Sequence, residues 1–274
     1  MRSAEDAAIA ATLSLLLEVS GDPKSGNVDR RHDIEGLRYE DFLASAAAAF
    51  PAFLNAANTA KIGDSVLYAV KKSLEWQRAG NVHFGAFLLL VPLVTGWRGE
   101  SKEEVAEIAL KNLKSTGVED SLKVLEAFRI SGARVLETRE LSLRSEETAR
   151  QLLERRMNLY DWMKLAPEEN LIARELTEGF RISLEAAEKL KRHDSRGIVV
   201  VYHELLAKYP DPLVAAKFGK ERSLEVCEIA KKALESGAFE ELDERLVREG
   251  VNPGTIADIT AAAIFLAICD GWRP

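Results

Sequence analysis

Three short glycine-containing polar segments interrupt a sequence otherwise dominated by alanine, leucine and charged residues, and each could handle phosphate chemistry. The first is Asp22-Pro23-Lys24-Ser25-Gly26-Asn27-Val28-Asp29-Arg30-Arg31-His32-Asp33. Lys24, Arg30 and Arg31 can neutralise phosphate oxygens, Asp29 or Asp33 can hold a divalent metal or accept a proton, and Gly26 permits close backbone approach. An ordinary solvated turn uses the same residue types, and for this stretch alone that simpler reading is slightly favoured.

The second segment, Gly80-Asn81-Val82-His83-Phe84-Gly85, stands at the entrance of an apolar run. Amides at a helix start are unsatisfied donors and the helix dipole favours anions, so a phosphate or carboxylate could dock beside Asn81 and His83. The competing reading makes Asn81 a cap and His83 a satisfied core imidazole, and for His83 by itself it is the stronger one. The third, Asn252-Pro253-Gly254-Thr255-Ile256-Ala257-Asp258, precedes a second apolar run. Thr255 followed three residues later by Asp258 reads as a capping-box variant, although a carboxylate at the mouth of a buried helix can also bind metal. Two further stretches, residues 161–180 and Tyr209-Pro210-Asp211 through Lys217, read first as a solvated charged face and as a turn with a helix start, with Lys217 as a phosphate contact.

These segments must be positioned by helices. Period-two strands are scarce, and the apolar spacing predicts helices over residues 5–19, 39–61 (a helix or a helix pair divided near Pro51), 64–78, 82–95, 101–114 and 118–133. Others follow over 146–159, 168–192, 196–208, 212–218, 221–236, 240–248 and 255–269. The 82–95 and 255–269 segments are apolar around nearly their whole circumference and belong at the centre. The expected fold is all-α, a compact multilayer helical bundle with two buried apolar helices, in a single domain over residues 1–274. Periodicity weakens over 134–145, the best place for a short extended connection at 135–142 and a subdomain junction.

Composition excludes several classes. The 274 residues are 47% hydrophobic, enough for a sizeable core, and the net charge of -7 disfavours nucleic acid and anionic membrane as partners. The first twenty residues, with Arg2, Glu5, Asp6 and Glu18, lack a signal-peptide pattern, which leads to the expectation of a cytoplasmic protein. The longest apolar run, residues 84–94, is interrupted by Pro92 and falls short of the roughly 20 residues that span a bilayer. Cys227 and Cys269 are too isolated for a disulfide framework or zinc site and read as buried thiols.

In their order, the motifs resemble the triphosphoribosyl-dephospho-CoA synthase family, especially its archaeal-type branch, over most of the chain. Pro23-Lys24-Ser25-Gly26-Asn27-Val28 is similar to the family's Pro-Lys-Pro-Gly-Asn/Leu-Val loop, and Asn81-Val82-His83-Phe84-Gly85-Ala86 to its Asn-Thr-His-Lys-Gly-Ala element. Pro253-Gly254-Thr255-Ile256-Ala257-Asp258 resembles its Pro-Gly-x-x-Ala-Asp signature. Ser25 replaces the second proline, and Phe84 stands where lyase-associated members carry lysine.

The resemblance implies transfer of the triphosphoribosyl part of ATP to the ribose 2′-hydroxyl of 3′-dephospho-CoA or a related hydroxyl acceptor, with release of adenine. Such a reaction develops oxocarbenium character, so positioning and electrostatics should dominate. Asp29, His83 and Asp258 are the expected catalytic residues; Lys24, Gly26, Asn27, Arg30, Asn81, Gly85, Lys217, Asn252 and Gly254 the expected nucleotide and phosphate contacts. Magnesium is the expected cofactor, with Asp29 and Asp258 as ligands, and ATP the expected substrate. A different magnesium-dependent nucleotide-sugar hydrolase or transferase, or a non-catalytic nucleotide-binding helical protein, stays open, as does a homodimer.

Overall fold

The alanine- and leucine-rich segments close into helices wherever an apolar stripe finds a neighbour to cover it. The computed structural model describes residues 3–34, 36–134 and 141–274. Within them the first half comprises α1 (Ala4–Ser20), α2 (Tyr39–Thr59), α3 (Ile62–Trp76), α4 (Phe84–Thr95), α5 (Lys102–Lys114), α6 (Val118–Ser131), α7 (Thr148–Arg155) and α8 (Leu159–Met163). The second half comprises α9 (Leu171–Glu178), α10 (Arg181–Leu190), α11 (Gly197–Lys208), α12 (Pro212–Phe218), α13 (Lys220–Ser236), α14 (Phe239–Arg248) and α15 (Gly254–Cys269). The fold is all-α; an isolated bridge between Ile34 and Leu37 is the strand-like pairing found among the described residues. The connection expected at 135–142 falls largely outside those residues. No helix among them is long and apolar enough to cross a membrane.

Helices α4 and α15 pack on each other at the centre; α2 and α3 pack on α4, α10, α11 and α12 on α15, and α1, α5 and α9 on both. Their sequences require this, since a helix apolar on every face has no side to show to water. Every residue of α4 except Gly85 and Thr95 is buried, and every residue of α15 except Gly254 and Asp258. Three of those four exceptions lie in the first turns, where the two helices open onto a cleft.

One expectation is settled and two change. Helix α2 runs through Pro51 without dividing. The carbonyl that proline leaves without a donor belongs to Ala47, which faces solvent, while Ala46, Ala49, Phe53 and Ala56 hold the buried face together. The segment expected as one helix over 168–192 breaks into α9 and α10 at Gly179 and Phe180, both with positive φ. There the buried Glu175 carboxylate accepts the amides of Ile182 (2.7 Å) and Ser183 (2.8 Å), so one helix caps the next. Finally, Thr255 and Asp258 form no capping box: α15 begins at Gly254, and the Ile256 amide is taken by Asp211 Oδ2 at 2.9 Å.

Candidate active site

Asp211 explains why Asp258 does not cap its own helix. Its Oδ1 accepts the Leu213 (2.7 Å) and Val214 (3.1 Å) amides at the start of its own helix while Oδ2 serves α15, so one carboxylate caps two helix N-termini. Burial pushes its pKa up to about 6 against the pull of those amides. With this cap supplied from α12, the Asp258 side chain turns into the cleft.

The cleft has two compartments that share Asn81, Phe84, Gly85, Leu213 and Asp258. The larger, about 960 Å³, is walled by apolar side chains including Leu88, Val124, Trp162 and Leu165, with Arg134 and Asn170 as polar members. The smaller, about 520 Å³, is polar and gathers Glu18, Asn27, His83 and Asn252 around Asp258. Gly85 is required where the compartments meet: a Cβ there would lie 2.1 Å from Asp258 Oδ2.

Charge at this junction is lopsided. The Asp258 carboxyl is pushed well above the usual range, first by burial and then by Glu18 and Asp211, with the Ala86 amide and Lys24 pulling the other way. Burial likewise raises Glu18, opposed by Lys24. Lys24 is fully buried; its ammonium pairs with Glu18, donates to Asn27 Oδ1 at 3.4 Å and stands 5.9 Å from the centre of the Tyr202 ring. Asn27 in turn donates to Asn252 Oδ1 at 3.0 Å, joining the first and third sequence segments.

At the mouth of α4, Asn81 Oδ1 accepts the Phe84 amide at 2.9 Å. His83 is buried with Nδ1 2.8 Å from Ser45 Oγ, while its Nε2 meets no hydrogen-bond partner among the described residues. Burial and then Lys24 hold its pKa down to about 3, so the ring is neutral.

Of the residues expected from sequence, Asn27, Asn81, His83, Gly85, Asn252, Gly254 and Asp258 line the polar compartment together. Lys24 stands behind that wall, and Gly26 answers to packing: its φ is +79°, a Cβ would meet Val251 O at 2.4 Å, and its amide donates to Asp243 Oδ1 at 2.9 Å. Asp29 lines neither compartment. Its buried carboxylate accepts the amides of Lys24 (3.2 Å), Arg31 (2.8 Å) and His32 (3.2 Å) and lies 2.9 Å from His32 Nδ1. Asp29, His32 and Asp243 form the one cluster of three such side chains close enough to share a metal ion among the described residues, and Asp258 is not part of it. Arg30 and Lys217 are exposed, bonded to the carbonyls of Ser20 (2.7 Å) and Gly250 (3.0 Å).

A family model for ATP:dephospho-CoA triphosphoribosyl transferase (CitG) matches residues 4–274. The chain belongs to this family. A crystal structure from Archaeoglobus fulgidus, provisionally named triphosphoribosyl-dephospho-CoA synthase, is 49% identical, with a TM-score of 0.76; the match covers 84% of this chain and 100% of that one. No curated protein matches.

Both departures from the triphosphoribosyl transferase motifs have local partners. Ser25 Oγ lies 2.7 Å from His203 Nε2, an imidazole stacked on Phe239 with centroids 4.2 Å apart. Phe84 forms part of the wall between the compartments and packs on Phe128 at 6.0 Å between centroids. Sequence reasoning missed Glu18 and Asp211. Glu18 did carry a signal, since an acidic residue in the last turn of a helix opposes the macrodipole and needs a specific reason to be there.

Proposed function

We propose that this chain transfers the triphosphoribosyl group of ATP to the 2′-hydroxyl of 3′-dephospho-CoA, releasing adenine, in the two-compartment cleft at the mouths of α4 and α15. The observation that carries this reading is the Asp258 carboxylate, which lines both compartments at once. A two-substrate displacement at one anomeric carbon is assisted by a group, placed where donor and acceptor meet, that can offset positive charge and accept a proton.

In this reaction the bond between ribose C1′ and adenine N9 breaks with its electron pair going to adenine, and the acceptor oxygen bonds to C1′. The hydroxyl loses a proton and adenine gains one, so protons balance overall. Asp258 would offset the positive charge that develops on the ribose and take the hydroxyl proton, a role favoured by a carboxyl pushed upward from its ordinary range. The amides at the starts of α4 and α15 would face the triphosphate, with Asn27, Asn81 and Asn252 as neutral donors. The apolar compartment suits an adenine ring or a pantetheine arm.

The donor set also fits magnesium. Burial, then Glu18 and Asp211, push the Asp258 carboxyl upward, and the buried Lys24 is the cation that opposes them, so a further cation would be welcome there. Asp211 is occupied by amides and Glu18 is paired with Lys24, so Asp258 would be the carboxylate that holds the ion, which needs only one or two protein carboxylates when triphosphate supplies the rest. The ion would neutralise the triphosphate; Asp29, expected beside Asp258, has no part in this arrangement.

Incubation with ATP, magnesium and 3′-dephospho-CoA, followed by mass analysis, should yield adenine and a triphosphoribosylated product in equal amounts. Adenine release that is independent of acceptor, or product formed only with another hydroxyl compound, would overturn the assignment.

A further inference from the structure

We infer that Ser45, backed by Ser73 and Gln77, is a positioning relay that fixes His83 as its Nε2–H tautomer, an uncharged hydrogen-bond donor at the wall of the polar compartment. The relay starts from backbone. Gln77 Oε1 accepts the Ala79 amide at 2.6 Å and Gln77 Nε2 donates to Gly80 O at 2.6 Å, which leaves one orientation for the side-chain amide. The same Nε2 donates to Ser73 Oγ at 3.4 Å, and Ser73 Oγ donates to Ser45 Oγ at 2.7 Å. Ser45 therefore receives a proton and has one of its own to give. Its remaining neighbour is His83 Nδ1 at 2.8 Å. Were Nδ1 to carry hydrogen instead, the Ser45 hydroxyl would accept twice and leave its own proton buried without an acceptor, at a cost the observed direction avoids.

A neutral imidazole carries one hydrogen, so if Nδ1 accepts, Nε2 donates. His83 is only 3% exposed, its ring is held edge-on by Phe42 at 5.0 Å and flanked by Phe87 at 5.7 Å, and the residue lines the compartment that contains Asp258. A ring this hard to protonate gives a hydrogen bond and keeps its proton. The ligand atom it selects is an acceptor: a ribose or phosphate oxygen, or an unprotonated ring nitrogen of adenine. That choice of ligand rests on the proposed transferase reading; the tautomer does not.

His203 supplies an internal standard. Its Nδ1 lies 2.8 Å from Val199 O, a pure acceptor, so His203 must be the Nδ1–H tautomer with Nε2 facing the Ser25 hydroxyl. Long-range ¹H–¹⁵N spectra of ¹⁵N-histidine-labelled protein at pH 7, with His83 and His203 assigned by substitution, should show the two rings as opposite tautomers. In Ser45→Ala the His83 signals should move to a mixed or Nδ1–H pattern while His203 stays unchanged. Adenine release should then fall about tenfold in kcat with little change in KM for ATP. Ser73→Ala, which keeps the Ser45 hydroxyl, should cause a smaller shift in the same direction and serves if Ser45→Ala folds poorly. A Nδ1–H pattern for His83 in the unsubstituted protein overturns the inference, as does an unchanged His83 spectrum in folded Ser45→Ala. Both results are read without any turnover, so failure of the transferase assignment is distinguishable from failure of the relay.

Discussion

In the loop between α1 and α2, Asp29 accepts three backbone amides, Lys24 is paired with Glu18, and the Gly26 amide is held by Asp243. At the mouths of α4 and α15, by contrast, Asp258 faces two compartments and His83 Nε2 has no partner among the described residues. The two regions contain the same residue types, and glycine stands in both. A buried imidazole Nε2 without a hydrogen-bond partner among the described residues also occurs in both, on His32 and on His83, so what separates them is the carboxylate: Asp29 is filled by amides, whereas Asp258 lines a cavity. Buried polar groups normally find partners, so a saturated carboxylate reports on folding, and one left open toward a cavity reports on a ligand.

The largest test of that contrast exchanges a carboxylate for an amide on each side. Asp258→Asn should lower turnover by about a hundredfold or more with helical content by circular dichroism unchanged. Asp29→Asn should instead cost about 2–3 kcal/mol in urea unfolding and leave kcat of the folded protein within a few-fold. An inactive Asp29→Asn of full stability would erase the distinction. Next in size, Gly85→Ala drives a methyl into Asp258 and should reduce kcat at least about tenfold, since small displacements of a reacting group are costly. Wild-type kcat in that variant would mean that the position of Asp258 is not critical.

The third test concerns buried histidine. His203 is held down to about 4, chiefly by burial, so it is neutral when folded and takes up a proton on unfolding below its ordinary value of 6.5. Its depressed folded pKa therefore contributes stability above about pH 6.5 that is lost as pH falls toward 4. The stability penalty of His203→Asn should shrink by about 2 kcal/mol between pH 7 and pH 5. A constant penalty would show that the ring is not kept neutral. The smallest effect belongs to Arg30→Ala and Lys217→Ala, whose exposed side chains bond to carbonyls away from the cleft: KM for ATP should change less than about threefold. A tenfold rise in either would extend the phosphate site beyond the two compartments.

Much of the scaffold was legible from local pattern. The all-apolar character of 82–95 and 255–269 identified α4 and α15 as the central pair, and the two mouths were recognised as places where a site could form. Proline rules left residues 39–61 between one helix and a divided pair, because the break depends on whether the orphaned carbonyl meets water, and Ala47 is exposed. The capping-box reading of Thr255 and Asp258 failed for a different reason: the cap comes from Asp211, 45 positions away from Ile256. Nothing in the letters around Ser45 marks it as a partner of His83, 38 positions on.

The sequence by itself determined the helices, the pair that must be buried and the family motifs that bring Asn81, His83 and Asp258 to helix mouths. Those properties follow from side-chain size, hydrophobicity and local backbone preference. Only the tertiary structure decided which polar groups are used up and which remain open, because a carboxylate's capacity is filled by donors from distant helices. That long-range accounting assigned Asp29 to the loop and Asp258 to the cleft.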